Sequence, residues 1–177
     1  NDGLVTFDGS GSTFTGSGAG VGVDFYDVVI NKASNGLFSF TLDHLMLVAN
    51  DLDLLGGRLG YNSGVIEVKG DVTVGPSWGY AFNNMVLKFT GTTSQNFTLA
   101  KEFGSTERGR PNIYFNNPST VNIHGTDPGV VETLPITSNI YVEAGTVSFD
   151  ENDNLAQDGS FSQTGGSFTA PKDWTLS

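Results

Sequence analysis

Short runs in which apolar and polar residues alternate recur along most of this 177-residue chain. Each run is rich in β-branched or aromatic residues and ends at glycine, asparagine, aspartate or proline. Alternation with period two is typical of strands with one buried face, and the terminating residues favour turns. The pattern predicts strands at 23–31, 37–42, 65–75, 84–91, 112–116, 120–125, 139–149 and 166–171.

One segment, residues 42–55, could also form a helix that ends at Gly56 and Gly57. Its leucines argue against that interpretation, because they lie two residues apart on each side of the pair Asn50 and Asp51. Spacing of two around a polar break favours two strands joined by a turn. We therefore expect an all-β chain.

The chain also resembles itself. Residues around Phe7 are similar to those around Phe89, and residues 27–34 are similar to residues 112–119. Two matches in the same order indicate a repeat that carries an inserted loop, residues 101–111. We predict a single repeat region over residues 1–177, with approximate blocks 4–86 and 87–145 and a partial third block 146–177.

A block of this length would contain three or four solenoid coils of about twenty to twenty-five residues each. The sequence therefore predicts a parallel β-helix (β-solenoid) of about seven to eight coils, in which stacking buries the inward residues between neighbouring coils. A jelly-roll or other β-sandwich is the alternative, since it also uses many short strands.

Charge and composition exclude several classes of function. The 8 basic and 19 acidic residues give a net charge of −11, which argues against nucleic acid as a partner. Without cysteine, the chain has neither disulfides nor thiolate metal sites. No run of eighteen apolar residues occurs, so no membrane span is predicted.

The glycine-rich opening "VTFDGSGSTFTG" raises the question of phosphate binding. A phosphate loop needs a helix immediately after it, whereas a strand pattern follows here and the segment contains no lysine. We expect the glycines to turn the chain and to bind nothing.

Three segments, "TFDGSGSTFTG", "FYDVVINKAS" and "GGRLGYNSGVIEVKGDVTVG", resemble the degenerate repeats of very large bacterial surface and secreted proteins. The resemblance covers most of the chain, and its motifs consist mainly of turn and strand residues. It implies a parallel β-helix in an adhesin-like or filamentous extracellular protein, and it implies no catalytic residues.

Trp78, Tyr80 and Phe82 alternate in "GPSWGYAFNN", so in a strand all three rings share one face. An exposed aromatic face can bind ligands such as sugars, which makes these residues a candidate ligand-binding site. The alternative is stacking inside the coil or under the loop 101–111.

A candidate calcium site lies in "FDENDNLAQDGS", where Asp150, Asn152, Asn154 and Asp158 supply oxygen ligands. The segment lacks the glycine and the bidentate glutamate of an EF-hand, which favours the alternative, a hairpin turn rich in Asx residues. Calcium is thus a possible cofactor, and no other cofactor is predicted.

An acidic cluster of Asp43, Asp51 and Asp53, with His44 and Arg58 beside it, is the candidate for catalysis. Two carboxyl groups roughly 5–10 Å apart would suit glycoside hydrolysis. Outward carboxylates are also the ordinary solvated face of a strand, so we expect no enzyme activity. His44 and His124 have no partner at metal-ligand spacing.

Together these observations predict a structural module of an extracellular filament or adhesin, located outside the cell or on its surface. Its partners would be other copies of itself, neighbouring repeats or surface glycans. The alternative function is a carbohydrate-binding or polysaccharide-cleaving β-helix domain.

Overall fold

The computed structural model shows an all-β parallel β-solenoid, which confirms the predicted fold class. The structure describes residues 3–9, 12–14, 23–32, 40–42, 45–60, 64–81, 85–104, 110–127 and 130–176, with the backbone alone at 12–14, 40–42, Gly60 and Tyr80. Its strands are β1 (Leu4–Gly9), β2 (Ser12–Phe14), β3 (Val23–Phe25), β4 (Asp27–Lys32), β5 (Phe40–Leu42), β6 (Leu45–Val48), β7 (Leu52–Gly60), β8 (Val65–Val68), β9 (Val72–Ala81), β10 (Val86–Phe89), β11 (Gln95–Leu99), β12 (Asn112–His124), β13 (Thr133–Ile136), β14 (Asn139–Phe149), β15 (Asn154–Gln157), β16 (Phe161–Gln163), β17 (Ser167–Thr169) and β18 (Asp173–Leu176).

The strands stack in parallel on three faces, which the chain visits in the same order in each turn. The first face consists of β1, β4, β7, β9, β11, β12, β14 and β17. The second consists of β2, β5, β7 and β9, and further along of β13, β15 and β18. The third consists of β3, β6, β8, β10, β12, β14 and β16. The long strands bend from one face to the next at irregularities such as the one between Phe115 and Thr120.

About six turns have a described strand on all three faces. In the fifth turn, residues 100–104 cross the second face without a strand, and the last turn ends on β18. The predicted seven to eight coils are therefore reached only when these two incomplete turns are counted.

One turn takes between 19 and 28 residues, as the paired positions Phe40 and Leu59 and the paired positions Ser12 and Phe40 show. The matched segments of the sequence repeat fall on different faces, because Phe7 lies on the first and Phe89 on the third. Their similarity therefore reflects shared strand and turn chemistry, and their spacing is not a whole number of turns.

The core is a continuous column of apolar side chains that point inward from all three faces. Burial alternates along most of the inner strands, as in β6, where Met46 and Val48 are buried. Aromatic rings continue this column across the middle turns, and Phe89 stacks on Phe115 with ring centroids 5.1 Å apart. Parallel in-register stacking of this kind buries each strand against its neighbours, so no turn is stable alone.

The segment 42–55 contains two strands, β6 and β7, separated by a turn at Asn50 and Asp51, so the strand interpretation is confirmed over its described part. Residues 23–31 contain two strands on different faces, and 112–125 form the single bent strand β12. Part of the predicted strand 37–42 and four residues of the glycine-rich opening (10, 11, 15 and 16) lie outside the described residues, and Gly9, with φ 75°, has the turn conformation expected of a corner.

Candidate functional site

The aromatic candidate lies in β9, and its tryptophan points inward. Trp78 is fully buried in the core, so its ring is inaccessible to a ligand. The side chain of Tyr80 and the whole of Phe82 lie outside the described residues. The shared aromatic surface therefore stays a prediction, while Trp78 itself occupies the position that stacking inside the coil requires.

The four candidate calcium ligands lie at two different corners. Asp150 closes its own turn by accepting the backbone N–H of Asn152 at 3.0 Å. Asp158 lies beyond β15 and pairs with the Arg110 guanidinium. The four residues of β15, which begins at Asn154, span about 13 Å. One ion cannot contact both aspartates, so the structure does not bring the set together.

In the candidate acidic cluster, Asp51 has a structural partner. Asp27, Asp51, Asp71 and Asn96 occupy equivalent positions in successive turns, where the third face leads into the first. Asp51 donates its backbone N–H to Asp27 at 3.1 Å, and its own carboxylate accepts that of Asp71 at 2.8 Å. Asp71 accepts the backbone N–H of Asn96 at 2.7 Å. This acidic ladder caps exposed N–H groups at the corner of the solenoid.

Asp53 faces outward beside this ladder and is half-buried. Burial raises the pKa of its carboxyl group, and the charges of Asp51 and Asp27 raise it further, while a hydrogen bond with Thr73 acts in the opposite direction. Asp43 and His44 lie outside the described residues. The structure therefore shows two carboxylates of the cluster on one face, and the Asp51 carboxylate is occupied by the hydrogen bond from the backbone N–H of Asp71.

A cleft of about 300 Å³ opens at the end of the first face, and both polar and apolar residues line it. It is lined on β12 by Asn122 and His124, and by Ser148 and Asp150 in the next turn. No lysine or arginine is present among the described residues that line it. This charge distribution disfavours anionic ligands and suits neutral or cationic ones.

His124 is held in one orientation at the cleft. Its Nδ1 lies 2.7 Å from the carbonyl oxygen of Gly125, which accepts the Nδ1–H. In the neutral ring Nε2 then carries the lone pair, and Thr98 Oγ1, 3.4 Å away, can donate to it. Asp153 is buried beneath and accepts the backbone N–H of Gly125 at 3.0 Å, which fixes the corner that orients the ring.

A further surface, on the outside of the third face, was not identified from sequence. Glu67, Lys88, Tyr114 and Tyr141 occupy equivalent positions in four successive turns. Lys88 Nζ lies 3.8 Å from the Glu67 carboxylate and 5.8 Å from the centroid of the Tyr114 ring. The two tyrosine rings stack with centroids 4.4 Å apart and planes 9° apart. We call these four residues the outer ladder.

Asparagines run beside the outer ladder on the same face. Asn139 Nδ2 donates to Asn112 Oδ1 at 3.0 Å, and Ser160 Oγ donates to Asn139 Oδ1 at 3.0 Å. The signal in the sequence is the triplet "NIY", which occurs at 112–114 and again at 139–141, one turn later. Identical outward residues one turn apart must stack, so this triplet could have revealed the ladder.

The described residues contain no group of three or more histidine, aspartate or glutamate side chains placed to hold a metal ion. In the described part of the chain, no helix is long and apolar enough to cross a membrane. Comparison of the chain with protein-family models, curated proteins and solved structures gave no match.

Proposed function

We propose that this chain is a structural module of an extracellular filament or adhesin and performs no catalysis. The observation that carries the proposal is the unbroken first face, in which eight strands follow one another in parallel. At about 4.8 Å per strand, this stack is about 34 Å long. A continuous hydrogen-bonded stack around one apolar column is a stiff spacer.

The extracellular or cell-surface location is supported by the resemblance of the repeats to those of bacterial surface and secreted proteins. The net charge of −11 bears on how modules contact one another, because like-charged sides repel one another and oppose lateral association. Contacts between modules are then favoured at the two ends of the stack.

Both ends of the described stack present unpaired strand edges. At one end β1 pairs only with β4, and Leu4 is 61% exposed. At the other end β17 and β18 each pair on one side only, and Trp174 and Leu176 are exposed. Parallel strand edges are templates for addition of another strand, so neighbouring copies or repeats are the proposed partners.

Electron microscopy and sedimentation of the purified chain test this proposal. We expect rods that lengthen with concentration and resist proteolysis. Trp174→Glu places a charge at the terminal edge and should abolish lengthening, whereas Val131→Glu, at an exposed position away from that edge, should leave it intact. Globular particles that stay monomeric at all concentrations would contradict the proposal.

The second candidate function is carbohydrate binding or cleavage at the cleft, and the fixed orientation of His124 favours it. The cleft combines an oriented imidazole with the Asp150 carboxylate in the next turn. An enzyme should release reducing ends from polysaccharides, and His124→Gln or Asp150→Asn should stop the release. Asp173→Asn, at an exposed acid on another face, is the matched control.

A further inference from the structure

The outer ladder ends at Tyr141 with one ring face open. Tyr114 covers the other face of this ring. In the next turn the equivalent position is Ser162, whose side chain is too small to reach across the ring. Among the described residues, no other ring contacts that of Tyr141.

We call the space beside the open ring face of Tyr141, over the small side chain of Ser162, the shelf. The spacing of the solenoid sets its size. Neighbouring strands lie about 4.8 Å apart, so the ladder position above Ser162 is one stacking distance from the Tyr141 ring. Tyr114 and Tyr141 show that this face accommodates flat rings stacked at successive turns. A flat ring laid on the shelf would continue the ladder by one step.

Neutral hydrogen-bonding groups flank the shelf. Asn139 and Ser160 lie two residues before Tyr141 and Ser162 on the same outward side of their segments. Their amide and hydroxyl groups can donate to and accept from the hydroxyl groups of a ligand. The combination of one apolar ring face with neutral polar groups beside it suits a ring that has hydroxyl groups at its edge and C–H groups on its face.

The charges near the shelf disfavour an anionic ligand. Residues 139–163 contain no lysine or arginine, and Arg110 on the neighbouring corner is paired with Asp158. Glu143, exposed on β14, adds a negative charge. Burial raises the pKa of Tyr114, and Tyr141 and Glu143 raise it further. An aromatic ligand would stack but would leave Asn139 and Ser160 without a new partner, so a sugar uses more of the surface.

We infer that Tyr141, with Asn139, Ser160 and the shelf above Ser162, binds a neutral pyranose ring of a glycan. The ring would stack on the open face of Tyr141 and direct its hydroxyl groups toward the asparagine and the serine. This inference is independent of the structural role proposed above, since a stiff spacer needs no ligand. It also uses a different face from the cleft at His124.

Nuclear magnetic resonance of the tyrosine ring protons tests the inference in the intact chain. The probes are cellohexaose, maltohexaose and mannohexaose, with hexagalacturonate as the anionic counterpart. We expect a neutral hexasaccharide to shift the Tyr141 ring signals and hexagalacturonate to bind about tenfold more weakly or not at all. No shift with any neutral probe, or tighter binding of hexagalacturonate, would overturn the inference.

Three variants separate stacking from folding. Tyr141→Ala removes the ring and should weaken binding by about tenfold or more, whereas Tyr141→Phe keeps the ring and should bind nearly as well as the parent. Ser162→Tyr removes no existing ring contact and fills the shelf, so it should block binding while the solenoid stays folded. Tyr26→Ala, at a half-buried tyrosine far along the stack, is the control.

Circular dichroism and melting temperature establish whether each variant is folded. If Ser162→Tyr and Tyr141→Ala are folded and bind neutral hexasaccharides as tightly as the parent chain, the inference is wrong. Loss of binding in both, with retention in Tyr26→Ala, supports it. Rod formation by the two Tyr141 variants is measured in parallel and is expected to be unchanged, because β14, which carries Tyr141, is not an end strand, whereas Ser162 lies on β16, the last strand of the third face.

Discussion

Asn117 and Gln95 are both fully buried, and Nδ2 of Asn117 donates to Oε1 of Gln95 at 2.7 Å. The two side chains lie at the corner between the third and first faces in successive turns. Gln95 also accepts the backbone N–H of Gly91 at 3.1 Å and donates to the backbone carbonyl oxygen of Val68 at 3.2 Å. The pair therefore satisfies the Gly91 N–H at the turn and adds a second hydrogen bond to the Val68 carbonyl, which also accepts the Thr90 N–H.

Replacing Gln95 with leucine should strongly destabilise the solenoid. The leucine fills a similar volume but leaves the buried Gly91 N–H without a partner. It also removes one of the two hydrogen bonds of the Val68 carbonyl, which keeps the Thr90 N–H, and one of the two of the Asn117 amide, which keeps the Thr93 carbonyl. We expect the free energy of unfolding to fall by about 2–4 kcal/mol, measured by urea denaturation. Asn117→Ala should cost less, because Gln95 keeps its backbone partners.

Gln163→Leu is the matched control for this prediction. Gln163 is exposed and donates one hydrogen bond, to the carbonyl oxygen of Gly166 at 3.0 Å. Its replacement should change the free energy of unfolding by no more than about 0.5 kcal/mol. Equal losses in the two leucine variants would show that burial of the Gln95 network is not what stabilises the corner.

Asp53→Asn should stabilise the protein at neutral pH. Burial, with the charges of Asp51 and Asp27, raises the pKa of the Asp53 carboxyl above its value in the unfolded chain. The folded state therefore holds this proton more tightly, and stability falls as pH rises through the folded pKa. The asparagine carries no charge at any pH, so its advantage should vanish in acid, where the aspartate is protonated.

Melting temperatures of Asp53→Asn and the parent chain between acidic and neutral pH check this sign. The difference should be positive near pH 7 and should shrink as pH falls below the pKa of Asp53 in the folded state. Asp173→Asn, at an exposed position on β18, should show no comparable trend. A parent chain that is more stable than Asp53→Asn at pH 7 would mean that ionised Asp53 makes a net favourable contact.

The sequence predicted the strands well because period-two alternation is a local property, and burial in β6 and β8 follows it residue by residue. It predicted less well which face of the solenoid each strand lies on. Whether residues 112–125 form one bent strand or two depends on the irregularity at Asn116, which is set by stacking on the next turn. The register between turns is a long-range property, so the match of Phe7 with Phe89 could not reveal that they lie on different faces.

The placement of the candidate site residues was hard to predict for a related reason. Trp78 was considered for the surface because aromatic alternation does not say which side faces inward, and the structure places it in the core. Asp150 and Asp158 are close in sequence but lie on either side of β15, so sequence proximity overstated their proximity in space. Tyr114 and Tyr141 are 27 residues apart and in contact, which only the length of a turn makes predictable.

Gly145→Ala should be far more damaging than Gly9→Ala. Both glycines have a positive φ, 68° and 75°, which a residue with a Cβ atom rarely adopts. A Cβ atom on Gly145 would lie 1.8 Å from the carbonyl oxygen of Asn117, whereas one on Gly9 would meet nothing within 4 Å. Gly9→Ala should therefore cost about 1–2 kcal/mol, from backbone strain alone.

Urea denaturation measures both alanine variants, and Gly145→Ala should lose at least twice as much stability as Gly9→Ala. The extra loss comes from forcing apart the backbone of two turns at the corner that Asn117 also occupies. Similar losses in the two variants would indicate that the turns separate easily at this corner. That result would weaken the case for a stiff spacer.

The burial of Trp78 predicts a divergence between two substitutions. Trp78→Ala empties a large volume of the core and should cost about 3–5 kcal/mol. Trp78→Phe should cost much less, because it keeps most of the ring and removes an indole N–H that has no hydrogen-bond partner among the described residues. Denaturation curves measure both changes, and neutral hexasaccharides should bind the folded Trp78→Phe variant as they bind the parent. If Trp78→Ala left stability unchanged, the ring would lie outside the core, and its role as a sugar platform would have to be considered again.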